Sequence, residues 1–175
     1  MKTLFTLALF VFVGCQAHHS ASTFKDAESH WYASIDGNFT VQTPTSLSYR
    51  TDTITLKHQD KEFLMELGVH HGQMSPWFFE VLHTDKPAFW STMSNEEKSW
   101  WLKSMAQNRY KPLALFKEDD GRLWGEQQGR QLEVRATESA SRLYLVVAAV
   151  PPGNLATPPV ETFFDSFQIN DVAMN

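Results

Sequence analysis

The sequence predicts an α+β fold, an antiparallel sheet flanked by helices. Three observations predict it: two pairs of segments that alternate in register as hairpins, one segment apolar on both faces, and two amphipathic stretches with helix-start signals. At 175 residues, 42% hydrophobic and 20% charged, the chain suits one folded unit. The expected division is a signal peptide at 1–14, a tether at 15–28 and a single α+β domain at 29–175.

The leader comes first. Lys2 supplies a positive start and Leu4 to Val13 is an almost unbroken apolar run. At roughly 1.5 Å per residue it reaches about 15 Å, half of a hydrocarbon layer, so it reads as a secretion signal and not as a membrane span. The tether from Gln16 to about Glu28 is polar and rich in Ala, Ser and His.

Within the domain, strands are expected at Phe39–Gln42, Ser46–Arg50, Trp77–Leu82 and Leu113–Lys117. A first hairpin follows from register. Ile54 opposite Met65 and Leu56 opposite Phe63 join their apolar faces, set Lys57 across from Glu62, and leave His58 to Lys61 as a loop. Ser94 to Glu97 matches the S-x-x-E capping box, and Trp101, Leu102, Met105 and Ala106 continue as a helical stripe ending near Tyr110. Turns account for the glycines around Arg122 to Trp124. A second hairpin sets Leu132, Val134 and Ala136 against Val147, Leu145 and Leu143, with a loop at Glu138 to Ser141. Leu143 to Val150 is apolar on both faces, so each side of the sheet needs a cover there. The last helix starts at Pro158-Pro159 and carries Val160, Phe163, Phe164 and Phe167 inward.

Two resemblances add to these readings. Phe12-Val13-Gly14-Cys15 resembles the lipobox of bacterial lipoproteins, with Phe12 where that family favours Leu. The resemblance implies that Cys15 carries lipid, and more than one acyl chain is needed for a firm hold at ~0.8 kcal/mol per buried CH₂. The competing reading is an ordinary secreted protein cleaved after Ala17. Gly37-Asn38-Phe39-Thr40-Val41-Gln42-Thr43-Pro44 resembles the opening Gly-x-Phe-x-Val-x-x-Pro strand of many small bacterial lipoproteins. Arg142-Leu143-Tyr144, with Phe163-Phe164-Asp165-Ser166-Phe167, resembles their closing Arg-x-Tyr and Phe-x-x-Ser-Phe signature. That group is similar to the PsbP-like fold, an α/β/α sandwich also found in photosystem II extrinsic subunits and in a nuclear factor that binds the Ran GTPase. The resemblance implies binding or assembly roles. It carries no functional residue across, because the matched positions are structural.

Chemistry is sparse. A net charge of -5 argues against nucleic acid as a partner, and one cysteine excludes an internal disulfide and any Cys-paired zinc site. Of seven histidines, His18 and His19 fall in the tether and His58 in a loop. His70 and His71 point to opposite faces of a strand, and His83 has no distance fixed to His58 or His70. No metal site and no cofactor is predicted. No G-x-S-x-G elbow is present, so a hydrolase would have to assemble from scattered Ser, His and Asp residues.

Six Trp and thirteen Phe are the one excess. Most are expected to fill the two interfaces of a layered fold. Phe89, Trp90 and Trp100 are the candidates to frame a groove for a partner or ligand. The functional expectation is a lipid-anchored cell-envelope protein, held to the membrane through Cys15, non-catalytic, and binding an envelope protein. The lipoprotein resemblance implies that, in an envelope with two bilayers, Gln16 in place of an aspartate after Cys15 points to the outer membrane. The alternatives are a carrier of a small apolar ligand or lipid and a secreted hydrolase.

Overall fold

The register of the first hairpin follows the apolar alternation. In a computed structural model describing residues 27–58, 60–111, 116–117 and 122–170, β3 (Ser48–His58) pairs β4 (Lys61–Met74) with Ile54 opposite Met65 and Leu56 opposite Phe63. Lys57 meets Glu62 at 2.7 Å. The leader, Cys15, most of the tether and the region of the expected strand before Phe116 lie outside the described residues. The segments expected separately at Ser46–Arg50 and around Ile54 form one continuous strand, and pairing continues to His58 opposite Lys61, which shortens the expected loop.

Before this hairpin lie β1 (His30–Ser34) and β2 (Phe39–Thr43); after it come β5 (Trp77–Asp85), α1 (Asn95–Arg109), β6 (Phe116–Lys117) and β7 (Arg122–Gln127). The chain continues through β8 (Arg130–Glu138), β9 (Arg142–Val150), α2 (Pro158–Asp165) and β10 (Gln168–Ile169). Strands β3-β4-β5-β9-β8-β7-β6 form one sheet and β1-β2-β10 a second, and every described pairing is antiparallel. The α+β expectation thus holds as a sheet-rich antiparallel fold with two α-helices among the described residues.

Two expectations are corrected. Leu132 pairs with Ala149 and Val134 with Val147, a register two residues from the one expected. An even shift keeps every side chain on its face, so hydrophobic patterning does not oppose it. The turn selects it: Ser139 N donates to the Arg142 carbonyl and Arg142 N to Ser139 Oγ. The turn expected around Arg122 to Trp124 is instead strand β7, paired to β6 and β8; the reversal comes later, where Gln128 and Gly129 take positive φ.

Both faces of the large sheet are covered at β9, whose residues Leu143–Val150 are all buried. On one face Leu143, Leu145, Val147 and Ala149 pack with α1 through Trp101, Met105 and Ala106. On the other, Tyr144, Val146, Ala148 and Val150 pack with Phe39 and Val41 of β2 and with Val160, Phe163 and Phe164 of α2.

Helix α1 begins with the expected capping box: Glu97 N donates to Ser94 Oγ at 3.2 Å and Ser94 N to Glu97 Oε2 at 2.8 Å. Its C-terminus is tied to the sheet by a buried polar cluster. Arg109 Nη2 donates to Glu80 Oε1 at 2.7 Å and Nη1 to Asp52 Oδ2 at 2.7 Å, while the Tyr110 hydroxyl donates to Glu80 Oε2. Burial, with the neighbouring Glu80, pushes Tyr110 well above the usual phenol range.

Candidate functional site

The site arises where one ladder stops short. Pairing between β4 and β5 ends at Gly68 opposite His83. Strand β5 ends at Asp85; Lys86 N then donates to the Ser141 carbonyl at 2.8 Å, and Trp90 N to the Pro87 carbonyl closes a turn. Lys61 to Leu67 of β4 therefore has β3 on one side and, among the described residues, no strand on the other. The notch is a cleft of ≈ 800 Å³. Ile35 and Asp36, from the turn between β1 and β2, form one wall. Leu64 and Glu66 of β4, Tyr49 of β3, and Asp85 and Arg142 line the rest.

Its rim mixes exposed apolar side chains with charged ones. Among the described residues five large hydrophobic side chains are exposed, and three of them, Ile35 (95%), Leu64 (76%) and Tyr49 (46%), line this cleft. Sheet geometry explains Leu64: the alternation that turns Phe63, Met65 and Leu67 toward α1 turns Leu64 and Glu66 to the other face, beyond the reach of the small sheet. The walls also carry charge. Arg142 Nε lies 3.4 Å from Asp85 Oδ1, and its Nη1 donates to the Asp36 carbonyl. Asp36 and Glu66 have no ion pair among the described residues.

His83 and His70 sit behind these walls, on neighbouring strands and one face, with ring centroids 5.3 Å apart. Only a glycine at position 68 admits His83, since a Cβ there would fall 2.1 Å from His83 Nε2. His83 lines the cleft, and its buried Nε2 has no hydrogen-bond partner. His70 is fully engaged: Nδ1 lies 2.8 Å from Tyr32 Oη and Nε2 3.1 Å from Ser34 Oγ. Either neutral tautomer satisfies both contacts, because the two hydroxyls can exchange donor and acceptor roles. Tyr49 closes over His70 at 4.8 Å. Burial lowers both imidazoles to about 4; the neighbouring His83 deepens the shift at His70, Arg142 deepens it at His83, and Asp36 opposes both. Both rings are therefore neutral near pH 7.

Ser34 and His70 are the nearest approach to a nucleophile and base. Ser34 Oγ is already the acceptor for Gly37 N at 2.7 Å, and the residue is buried and outside the cleft's lining. The contact latches β1 to β4. Among the described residues no three His, Cys, Asp or Glu side chains group to hold a metal ion, and no helix is long and apolar enough to cross a membrane.

The aromatic residues singled out from sequence lie elsewhere. Trp90 is buried; its Nε1 donates to Glu138 Oε2 at 2.6 Å, and it lines a smaller cleft of ≈ 260 Å³ with Leu102, Leu123 and Ala136. Phe89 packs on Phe63 and Trp101, and partly exposed Trp100 sits edge-on to Trp101 at 6.0 Å. Neither Phe89 nor Trp100 lines the cleft that holds Trp90. His71 faces away from His70, with Nδ1 3.1 Å from the Ser48 carbonyl, and Cys15 lies outside the described residues. Sequence reasoning missed Ile35, Asp36, Leu64, Glu66 and Gly68. The available signal was an apolar Leu64 and a glycine on the polar side of an alternating strand. Comparison with protein-family models, with curated proteins and with solved structures returns no match.

Proposed function

We propose that this chain is a lipid-anchored protein of the bacterial cell envelope, without catalysis of its own, which binds a partner protein through the cleft beside β4. The observation that carries the binding role is the gathering of Ile35, Tyr49 and Leu64, three exposed hydrophobic side chains, on one concave surface. Apolar side chains collected on one surface mark interaction sites, whereas scattered ones need no explanation. The two-sided cover of one antiparallel sheet supports the PsbP-like reading, whose known members bind or assemble.

The anchor rests on the Cys15 motif. Tethering raises the effective concentration toward other envelope components, so modest affinity suffices. An acidic domain is repelled by anionic headgroups, which leaves it facing the aqueous side. Burial of Ser34 weighs against a hydrolase. Asp36, Glu66 and Asp85 on the cleft walls weigh against a purely apolar ligand.

Two measurements test this. The wild type should incorporate labelled palmitate and fractionate with membranes, and Cys15→Ser should do neither. A photo-crosslinking residue at Leu64 should trap a discrete protein in the native envelope, while one at exposed Glu161 on α2 should not. Equal labelling from both positions would remove the basis for the cleft.

A further inference from the structure

The free edge of β4 indicates what kind of partner segment fits. Along Lys61 to Leu67, alternate backbone N–H and C=O groups point away from β3 toward the notch, where no strand among the described residues receives them. Backbone groups of this kind are obligatory hydrogen-bonding groups, and an open strand edge is a template for another strand. Natural edges are commonly blunted by charge or proline. Here Lys61 and Glu62 guard only the hairpin tip, and the stretch Phe63-Leu64-Met65 carries neither.

We infer that the cleft receives an extended, basic segment of the partner protein, added as a strand along Phe63 to Leu67 where β5 turns away. This rests on the binding role proposed above and specifies its mode. Main-chain bonds to β4 supply affinity, and the alternating side chains of the added strand supply specificity. Side chains directed to one face meet Ile35, Leu64 and the carboxylates of Asp36 and Glu66; those directed to the other approach Phe63, Met65 and Trp101.

Charge selects a basic segment. Three carboxylates line the cleft against one guanidinium, and that guanidinium is engaged with Asp85 and the Asp36 carbonyl. A lysine or arginine entering beside Asp36 and Glu66 gains complementary charge, whereas an acidic segment meets repulsion. His83 adds an independent sign of an unfinished site: it lines the same cleft, is 8% exposed, and its Nε2 lacks a partner. The neutral ring sets no positive charge against an arriving cation.

The test uses the full-length protein and three synthetic peptides with blocked termini: Lys-Val-Thr-Val-Lys-Val-Thr, the same peptide with Glu for Lys, and the lysine peptide N-methylated at alternate residues on its pairing edge. Fluorescence anisotropy should show binding of the first, and Asp36→Lys or Glu66→Lys should each weaken it at least about tenfold. Amide exchange should slow at Phe63 to Leu67 when that peptide is bound. Equal binding of the glutamate peptide overturns the charge assignment, and undiminished binding of the N-methylated peptide overturns strand addition. If no peptide binds while crosslinks at Leu64 persist, the strand mode fails and the binding role stands. If the crosslinks vanish, the role itself fails. Concentration-dependent dimers abolished by Leu64→Asp would assign the cleft to a second copy and overturn the inference.

Discussion

Glu80 and His83 stand three residues apart on β5, point to opposite faces of one sheet, and meet burial in opposite ways. On the α1 face the Glu80 carboxylate is fully buried and receives both the Arg109 guanidinium and the Tyr110 hydroxyl. On the cleft face His70 and His83 have no countercharge in contact and remain neutral, stacked on each other and on Tyr49. A planar fork with donors to spare keeps a buried charge satisfied and docks a helix. A titratable ring without such a fork gives up its charge instead. Glu80 keeps its charge through paired donors, and the two imidazoles behind the cleft give theirs up.

The largest expected effect tests the neutral side. Well above pH 6.5 the rings are uncharged whether the chain is folded or not. Between 6.5 and about 4 the unfolded chain binds protons that the folded chain refuses, so stability falls as pH drops through that window. The loss reaches on the order of 3 kcal/mol per ring by the bottom of the window, a large share of a typical domain's stability. Urea midpoints at pH 7.5, 5.5 and 4.5 measure it, and His83→Leu should remove at least half the slope, because His83 also deepens the shift at His70. A flat profile would mean that the histidines are not buried as described.

The next effect tests the charged side. Arg109→Ala strands Glu80 in the interior, with an expected cost of about 3–5 kcal/mol. Asp52, the other partner of Arg109, is 39% exposed, and Asp52→Ala should cost less than about 1 kcal/mol. Denaturation at pH 7.5 separates the two variants. Equal losses would show that the guanidinium serves both carboxylates alike and that burial at Glu80 is not the deciding term.

The two faces also differed in how far the sequence revealed them. Helix α1 was legible because its capping box and its Trp101, Met105 and Ala106 stripe agree. The β3–β4 register was legible because apolar pattern and the Lys57–Glu62 charge pair selected the same alignment. The β8–β9 register was not, since an all-apolar strand accepts any even shift and the choice falls to a serine turn. Strand β7 carries Gly125 at its centre and polar neighbours, so it depends on the strands beside it more than on its own residues. The Glu80–Arg109 contact joins residues twenty-nine apart, and no local pattern announces it. The cleft was hidden for a related reason: it exists because a ladder stops, and termination is a tertiary event that Leu64 and Gly68 only hint at.

Gly68→Ala probes the seam of the open face. Its Cβ would meet a buried imidazole at 2.1 Å, and His83 can move only by leaving its stack. The expected cost is about 1–3 kcal/mol. A displaced His83 becomes better hydrated, so the pH slope should shrink at the same time. Loss of stability with an unchanged slope would mean that the backbone, and not the ring, absorbs the clash.

The smallest effect asks whether the two faces are energetically separate. Ser94→Ala removes the side-chain acceptor for Glu97 N at the start of α1 and leaves the buried cluster at its end untouched. An N-cap serine lost to alanine costs about 1 kcal/mol. The urea midpoint at pH 7.5 should move by that amount, while the decline between pH 6.5 and 4 keeps the slope of the unaltered protein. A changed slope would couple the helix to the histidines across the sheet and erase the energetic separation of the Glu80 cluster from the two imidazoles.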